Sequence, residues 1–101
     1  MKIIYSERAL GDLDRLTEFV AHLQPAEIEA TTRLIVQAIN ILATHPLIGR
    51  RAGAHTRELV ISRGRTGYLA LYRLDRERKE VHILAVRHQR ESGYDPTDPH
   101  H

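Results

Sequence analysis

The sequence predicts a single α+β domain in the order β-α-α-β-β-β, an antiparallel sheet with an N-terminal two-helix hairpin packed on one face. Three observations lead there. Apolar residues recur at helical spacing through the first half of the chain. The period switches to two in the second half. The break between the two helical stretches is so short that the second helix must fold back along the first. A chain of 101 residues has the size of one domain, assigned to residues 1–94, with 95–101 as a flexible polar tail.

Lys2 to Tyr5 is a short β-type run. Ser6 is a good N-cap, and Glu7 sits in the first turn, where a negative charge is favoured. Ala9, Leu10, Leu13, Leu16, Phe19, Val20 and Leu23 then mark one helix face, with Asp12, Asp14, Arg15 and Glu18 assigned to the other. Gln24-Pro25 is a break, and Pro25 suits the first turn of the next helix. Ile28, Leu34, Ile35, Ala38, Ile39 and Leu42 form the second stripe, up to about Thr44. His45-Pro46 stops it, because the residue before a proline is pushed out of the helical region. "HPLIGRRAGAHT" reads as a loop. Arg57–Ser62, Tyr68–Leu74 and Val81–His88 read as strands, separated by the glycine turn "GRTG" and the charged turn "DRERKE". Three consecutive strands so joined form an antiparallel meander. The hairpin must cover one of its faces to bury both stripes.

Composition excludes several function classes. There is no cysteine, which removes disulfides, thiolate zinc sites and cysteine nucleophiles and suits the cytoplasm. Charged residues interrupt the first sixteen positions, so no signal peptide is read there. No apolar window is long enough to span a membrane. Charge is segregated. Residues 1–49 hold four basic and six acidic groups (−2), residues 50–90 eleven and four (+7), and residues 91–101 none and three (−3). Ten of the eleven cations in the middle segment are arginines, whose rigid fork of donors suits phosphate or carboxylate. An acidic or nucleic-acid partner is therefore expected.

Chemistry-bearing residues gather where "VRHQRE" leaves the last strand. In a meander, the first turn and the end of the third strand meet, which brings Arg63, Arg65, Tyr68, Arg87 and His88 to one edge. Arg73 lies nearer the other end. Strand alternation places Arg87 with Val81, Ile83 and Ala85, and His88 with His82, Leu84 and Val86. Arg63, Arg65, Arg73, Arg87, His88 and Arg90 are the candidate target-binding residues. For a nuclease, Arg63, Arg87, His88 and Tyr94 are the candidates. Arginine would neutralise developing charge, and His88 or Tyr94 would move a proton. The bland alternative is that the arginines pair with Glu58, Asp75, Glu80 or Glu91. His22, His45, His55, His82 and His88 form no HxH or HxxxH pair, so no metal site is predicted, and no cofactor. His45 is read as a helix end, and His100 and His101 are assigned no function.

The element order, "INILATHPLIGR" at the end of the helices, the strand "GYLALYRLD" and the final "VHILAVRHQRESGY" resemble the RelE/ParE family of toxins from type II toxin–antitoxin systems, over residues 2–94. The resemblance implies one of two activities. RelE-like members are ribosome-dependent mRNA endonucleases. ParE-like members inhibit DNA gyrase. The long hairpin, "HPLIGR", "RHQRE" and the lack of lysine in the middle strands look like the ParE-like branch. Gyrase inhibition is therefore the expected function, and an mRNA interferase acting with ribosome and mRNA is the alternative. Either branch implies a cognate antitoxin with an acidic C-terminal segment. Operator DNA would be reached only through that antitoxin.

Overall fold

The computed structural model describes residues 1–23, 26, 28–63 and 66–88. Strand β1 is Lys2–Tyr5, followed by helices α1, Glu7–Leu23, and α2, Ile28–Asn40. A 3-10 turn, Ile41–Ala43, extends α2. Then come β2, Arg50–Arg51, β3, Arg57–Arg63, β4, Thr66–Asp75, and β5, Glu80–His88. They form one sheet in the order β1-β5-β4-β3-β2. The expected meander β3-β4-β5 is antiparallel throughout. The start of the second helix at Pro25 and the tail 95–101 fall outside the described residues.

Two strands differ from expectation. β1 joins β5 in parallel, from Lys2 opposite Glu80 to Tyr5 opposite Ile83, so the sheet is mixed. A four-residue strand has too little pattern to announce its direction. β2 lies in what reads as loop. "RR" carries no apolar alternation, and the strand exists through its partners: Arg50 is opposite Glu58 and Arg51 opposite Arg57. Arg50 Nε donates to the Glu58 carboxylate at 2.9 Å.

The helices cover one face, α1 against β5 and α2 against β3. Ser6 caps α1 as expected, its Oγ accepting from Ala9 N at 3.0 Å. The buried positions are Ala9, Asp12 and Leu16 on α1, then Thr31, Ile35 and Ile39 on α2 and Leu42 after it, at the spacing of a single helix face. They meet Ile61, Tyr68, Ala70, Tyr72, Val81, Ile83 and Val86 from the sheet. Leu10, expected in the stripe, is exposed. Asp12, assigned to solvent, is in the core face.

A bulge resets β5. Leu71 pairs with Ala85 and Tyr72 with Ile83, leaving Leu84 as an extra residue. An extra residue reverses strand parity beyond it. Val81 and Ile83 before the bulge, and Val86 and His88 after it, therefore share the helix-covered face. The simple alternation that grouped Arg87 with Val81 and Ile83 is corrected by this residue.

Tyr72 anchors the loop after α2. Its buried hydroxyl donates to Pro46 O at 2.8 Å and accepts from Gly49 N at 2.9 Å. Arg57 Nη1 donates to Gly49 O at 2.7 Å. A Cβ on Gly49 would run into the Tyr72 ring and hydroxyl and come within 2.9 Å of Glu58 O. Burial raises the Tyr72 pKa above the usual tyrosine value, against the smaller lowering effects of the Gly49 amide and Arg57. Burial also raises Tyr5, whose hydroxyl is buried without a hydrogen-bond partner.

One substitution at these two tyrosines should have unequal effects. Tyr72→Phe leaves Gly49 N and Pro46 O unsatisfied and should cost about 1–3 kcal/mol in urea unfolding, whereas Tyr5→Phe should be neutral or slightly stabilising. Gly49→Ala should cost about 1–3 kcal/mol through overpacking. Both tyrosines have raised pKa values in the folded state. Above about pH 10 the unfolded chain therefore loses protons that the fold retains. Stability should hold below that pH and fall above it, and Tyr72→Phe should flatten the fall between about pH 9 and 11.

Candidate functional site

β1 ends at Tyr5, but β5 continues to His88, so among the described residues no strand lies beside the outer edge of β5 past Ile83. Unpaired edge groups must find partners when covered. The start of α1 supplies them in sequence. Ser6 N donates to Ile83 O at 3.0 Å. Ser6 Oγ donates to Leu84 O at 3.2 Å. Asp12 Oδ2 accepts from Val86 N at 2.9 Å, and Arg15 Nη2 reaches Val86 O at 3.4 Å. The other Asp12 oxygen accepts from Arg87 Nη1 and, at 3.2 Å, from Arg15 Nη2. Asp12 is 6% exposed. The sequence had a signal for this: Asp12 lies three residues after Ala9 and four before Leu16, inside the buried stripe.

Two predicted site residues are thereby built into the fold. Arg87 is held by Asp12, a partner that the reading of strand-end ion pairs did not include. His88 is 2% exposed and meets the Tyr68 ring edge-on, with centroids 4.9 Å apart and planes at 82°. The register brings the expected positions to one end of the sheet: Tyr68 stands opposite both Ile61 and His88, Arg63 opposite Thr66, and Leu69 opposite Arg87. The side chain of Arg63, and all of Arg65, Arg90 and Tyr94, lie outside the described residues. Arg73 is exposed toward the opposite end.

The sheet face turned from the helices has an apolar centre. Val60 is opposite Leu69, and Leu71 opposite Ala85. Val60 is 42% exposed, while Leu69 and Ala85 are buried outside the main core cluster. Arg50–Glu58 borders this patch on the β2 side, and Arg87 on the β5 side. Such a face can take up a partner's apolar groups.

Histidines take local partners. His45 Nδ1 lies 2.9 Å from Thr44 Oγ1. His82 Nε2 lies 3.1 Å from Glu80 Oε1. Asp75, Glu80 and His82 gather their donor atoms within 4.8 Å, a grouping that spacing rules overlook because it forms across a hairpin. Asp75 also accepts from Arg78 N at 3.0 Å, so this cluster is knit from local hydrogen bonds.

A helical hairpin covers one face of this small mixed sheet, and comparison with known proteins places the fold among the toxins of type II toxin–antitoxin systems. Residues 3–93 match the family described as ParE toxin of the type II toxin–antitoxin system parDE, and the chain belongs to that family. It is 33% identical over 84 residues to Toxin RelE3 of Caulobacter vibrioides, covering 83% of this chain and 89% of that one. With Toxin RelE1 of the same organism it shares 30% over 86 residues, 85% of this chain and 90% of the other. The structure of the chromosomal ParDE system from P. aeruginosa superposes with a TM-score of 0.72 at 23% identity, covering 85% and 92%. The RelBE2 toxin–antitoxin complex from Mycobacterium tuberculosis gives 0.55 at 31%, covering 86% and 95%.

Stability separates a fold role from a surface role. Arg87→Ala removes one of the two guanidinium partners of the buried Asp12 carboxylate and should cost about 1–3 kcal/mol in urea unfolding. Arg73→Ala, on the exposed surface, should stay within about 0.5 kcal/mol.

Proposed function

We propose that this chain acts by binding DNA gyrase, as a ParE-like inhibitor, and that a cognate antitoxin holds it inactive. The observation that carries this reading is the sheet face turned from the helices. It carries Val60, 42% exposed, beside Leu69, Leu71 and Ala85, apolar groups suited to contact with a macromolecule. Of the nuclease candidates whose side chains are described, Arg87 serves Asp12 and His88 is packed on Tyr68. A general acid–base must reach a substrate proton, and a histidine at 2% exposure is poorly placed to do so. Membership of the ParE toxin family supports the same reading.

The antitoxin would present an acidic C-terminal segment to the arginine-rich half of the chain, which carries +7 over residues 50–90. Opposite charge speeds encounter and favours the right partner. Recognition of operator DNA would belong to the antitoxin. With gyrase as target, the place of action is the cytoplasm.

The test is supercoiling by bacterial gyrase on relaxed plasmid with ATP. Added toxin should abolish supercoiling and let cleaved plasmid accumulate, and the antitoxin should restore the activity. The reading fails if a preparation that stops cell growth leaves gyrase untouched but cuts mRNA in a translation extract, with cutting lost in Tyr94→Phe. That result would establish the mRNA interferase instead.

A further inference from the structure

A second basic site lies away from the predicted edge. Where β2, β3 and β4 meet the turn after β4, Arg51, His55, Arg57, Arg73 and Arg76 line a pocket of about 210 Å³. Its other lining residues are Gly53, Ala54, Thr56 and Leu74, so among the described residues no carboxylate lines it. Arg51 and Arg57 are direct cross-strand partners. Like charges directly opposed across a strand pair destabilise it. The adjacent rung shows the ordinary remedy, Arg50 against Glu58. The Arg51–Arg57 rung has none among the described residues. Arg57 is steadied by the carbonyls of Gly49 and Leu47, at 2.7 and 3.3 Å, which fix its guanidinium without neutralising it.

We propose that this pocket is a phosphate-binding site that takes a phosphate of a nucleic-acid backbone. Four arginines lining one small space suit a compact anion with several acceptor oxygens. Side-chain carboxylates of a peptide would bring one charge each and need room for the side chains between them. Among the described residues the lining holds no Phe, Tyr or Trp for a base to stack on. The volume is below the roughly 300–1,000 Å³ of pockets that enclose small molecules. The ligand is therefore a backbone phosphate, held without reading sequence. The inference does not depend on the choice of gyrase or ribosome as target.

The test is fluorescence anisotropy of the full-length chain with a labelled DNA duplex of about 20 base pairs and with a single-stranded RNA of the same length. At least one should bind at low salt, with affinity falling as salt rises. The double variant Arg73→Ala/Arg76→Ala should bind at least about tenfold more weakly, and its salt slope should be shallower by about one for each phosphate it no longer neutralises. Both arginines are exposed, so the variant's melting temperature should match the parent's. Arg33→Ala, which removes one charge from α2 where Arg33 pairs with Glu29, should bind within about twofold of the parent. Equal binding by the double variant and the parent would overturn the site. So would ATP binding without polynucleotide binding. Capture of a glutamate-rich peptide but neither nucleic acid, abolished in the double variant, would overturn it too and reassign the pocket to an acidic protein segment.

Discussion

The Asp12 carboxylate ties the two layers of this protein together. β5 is a central strand for its first half and an edge strand for its second, because β1 stops at Tyr5. An edge that dips under a helix cannot rely on water. Ser6, Asp12 and Arg15 take the place of the missing strand, one after another along α1. The carboxylate accepts from a backbone amide and from two arginines, so its burial is compensated by charge-assisted bonds. Its geometry sets how α1 lies on the sheet, and α1 in turn sets the hairpin. Breaking such a pair is far costlier than its net worth suggests.

That arrangement governs what the surface can do. Using Arg87 to hold Asp12 removes a guanidinium from the exposed edge. The bulge at Leu84 turns His88 inward against Tyr68. Both residues look like chemistry in the linear sequence, and in the fold each has a structural partner, Asp12 for Arg87 and Tyr68 for His88. The sheet face turned from the helices keeps an apolar centre, and the pocket arginines gather where β2, β3 and β4 meet. The molecule thus presents two unlike surfaces, one suited to apolar contact and one to a compact anion.

Much of this was legible in the sequence. The helical stripes, the period change at Arg57 and the turns "GRTG" and "DRERKE" gave the elements and the meander. Ser6 capped α1 as its residue type implied. The parallel pairing of β1 was not legible, since four residues carry no sign of a distant neighbour. β2 was hidden because "RR" becomes a strand only through its partners. The bulge was hidden in "ILAV", where every residue is apolar and either parity fits. Asp12 is the instructive case. Its type pointed to solvent and its position to the core, and the position was right because two arginines and an amide awaited it. The phosphate pocket could not be read at all, since its arginines come from three strands, β2, β3 and β4, and the turn after β4.

Native-state hydrogen exchange at the Val86 amide tests the central claim most directly. Val86 N–H donates to Asp12 and, among the described residues, has no strand to bond. If Asp12 substitutes for one, this amide exchanges as slowly as the β5 amides bonded to β4, and Asp12→Ala makes it fast while the amides of Val81 and Ile83 stay protected. Rapid exchange at Val86 in the unaltered protein, or no change on removing the carboxylate, would contradict the account.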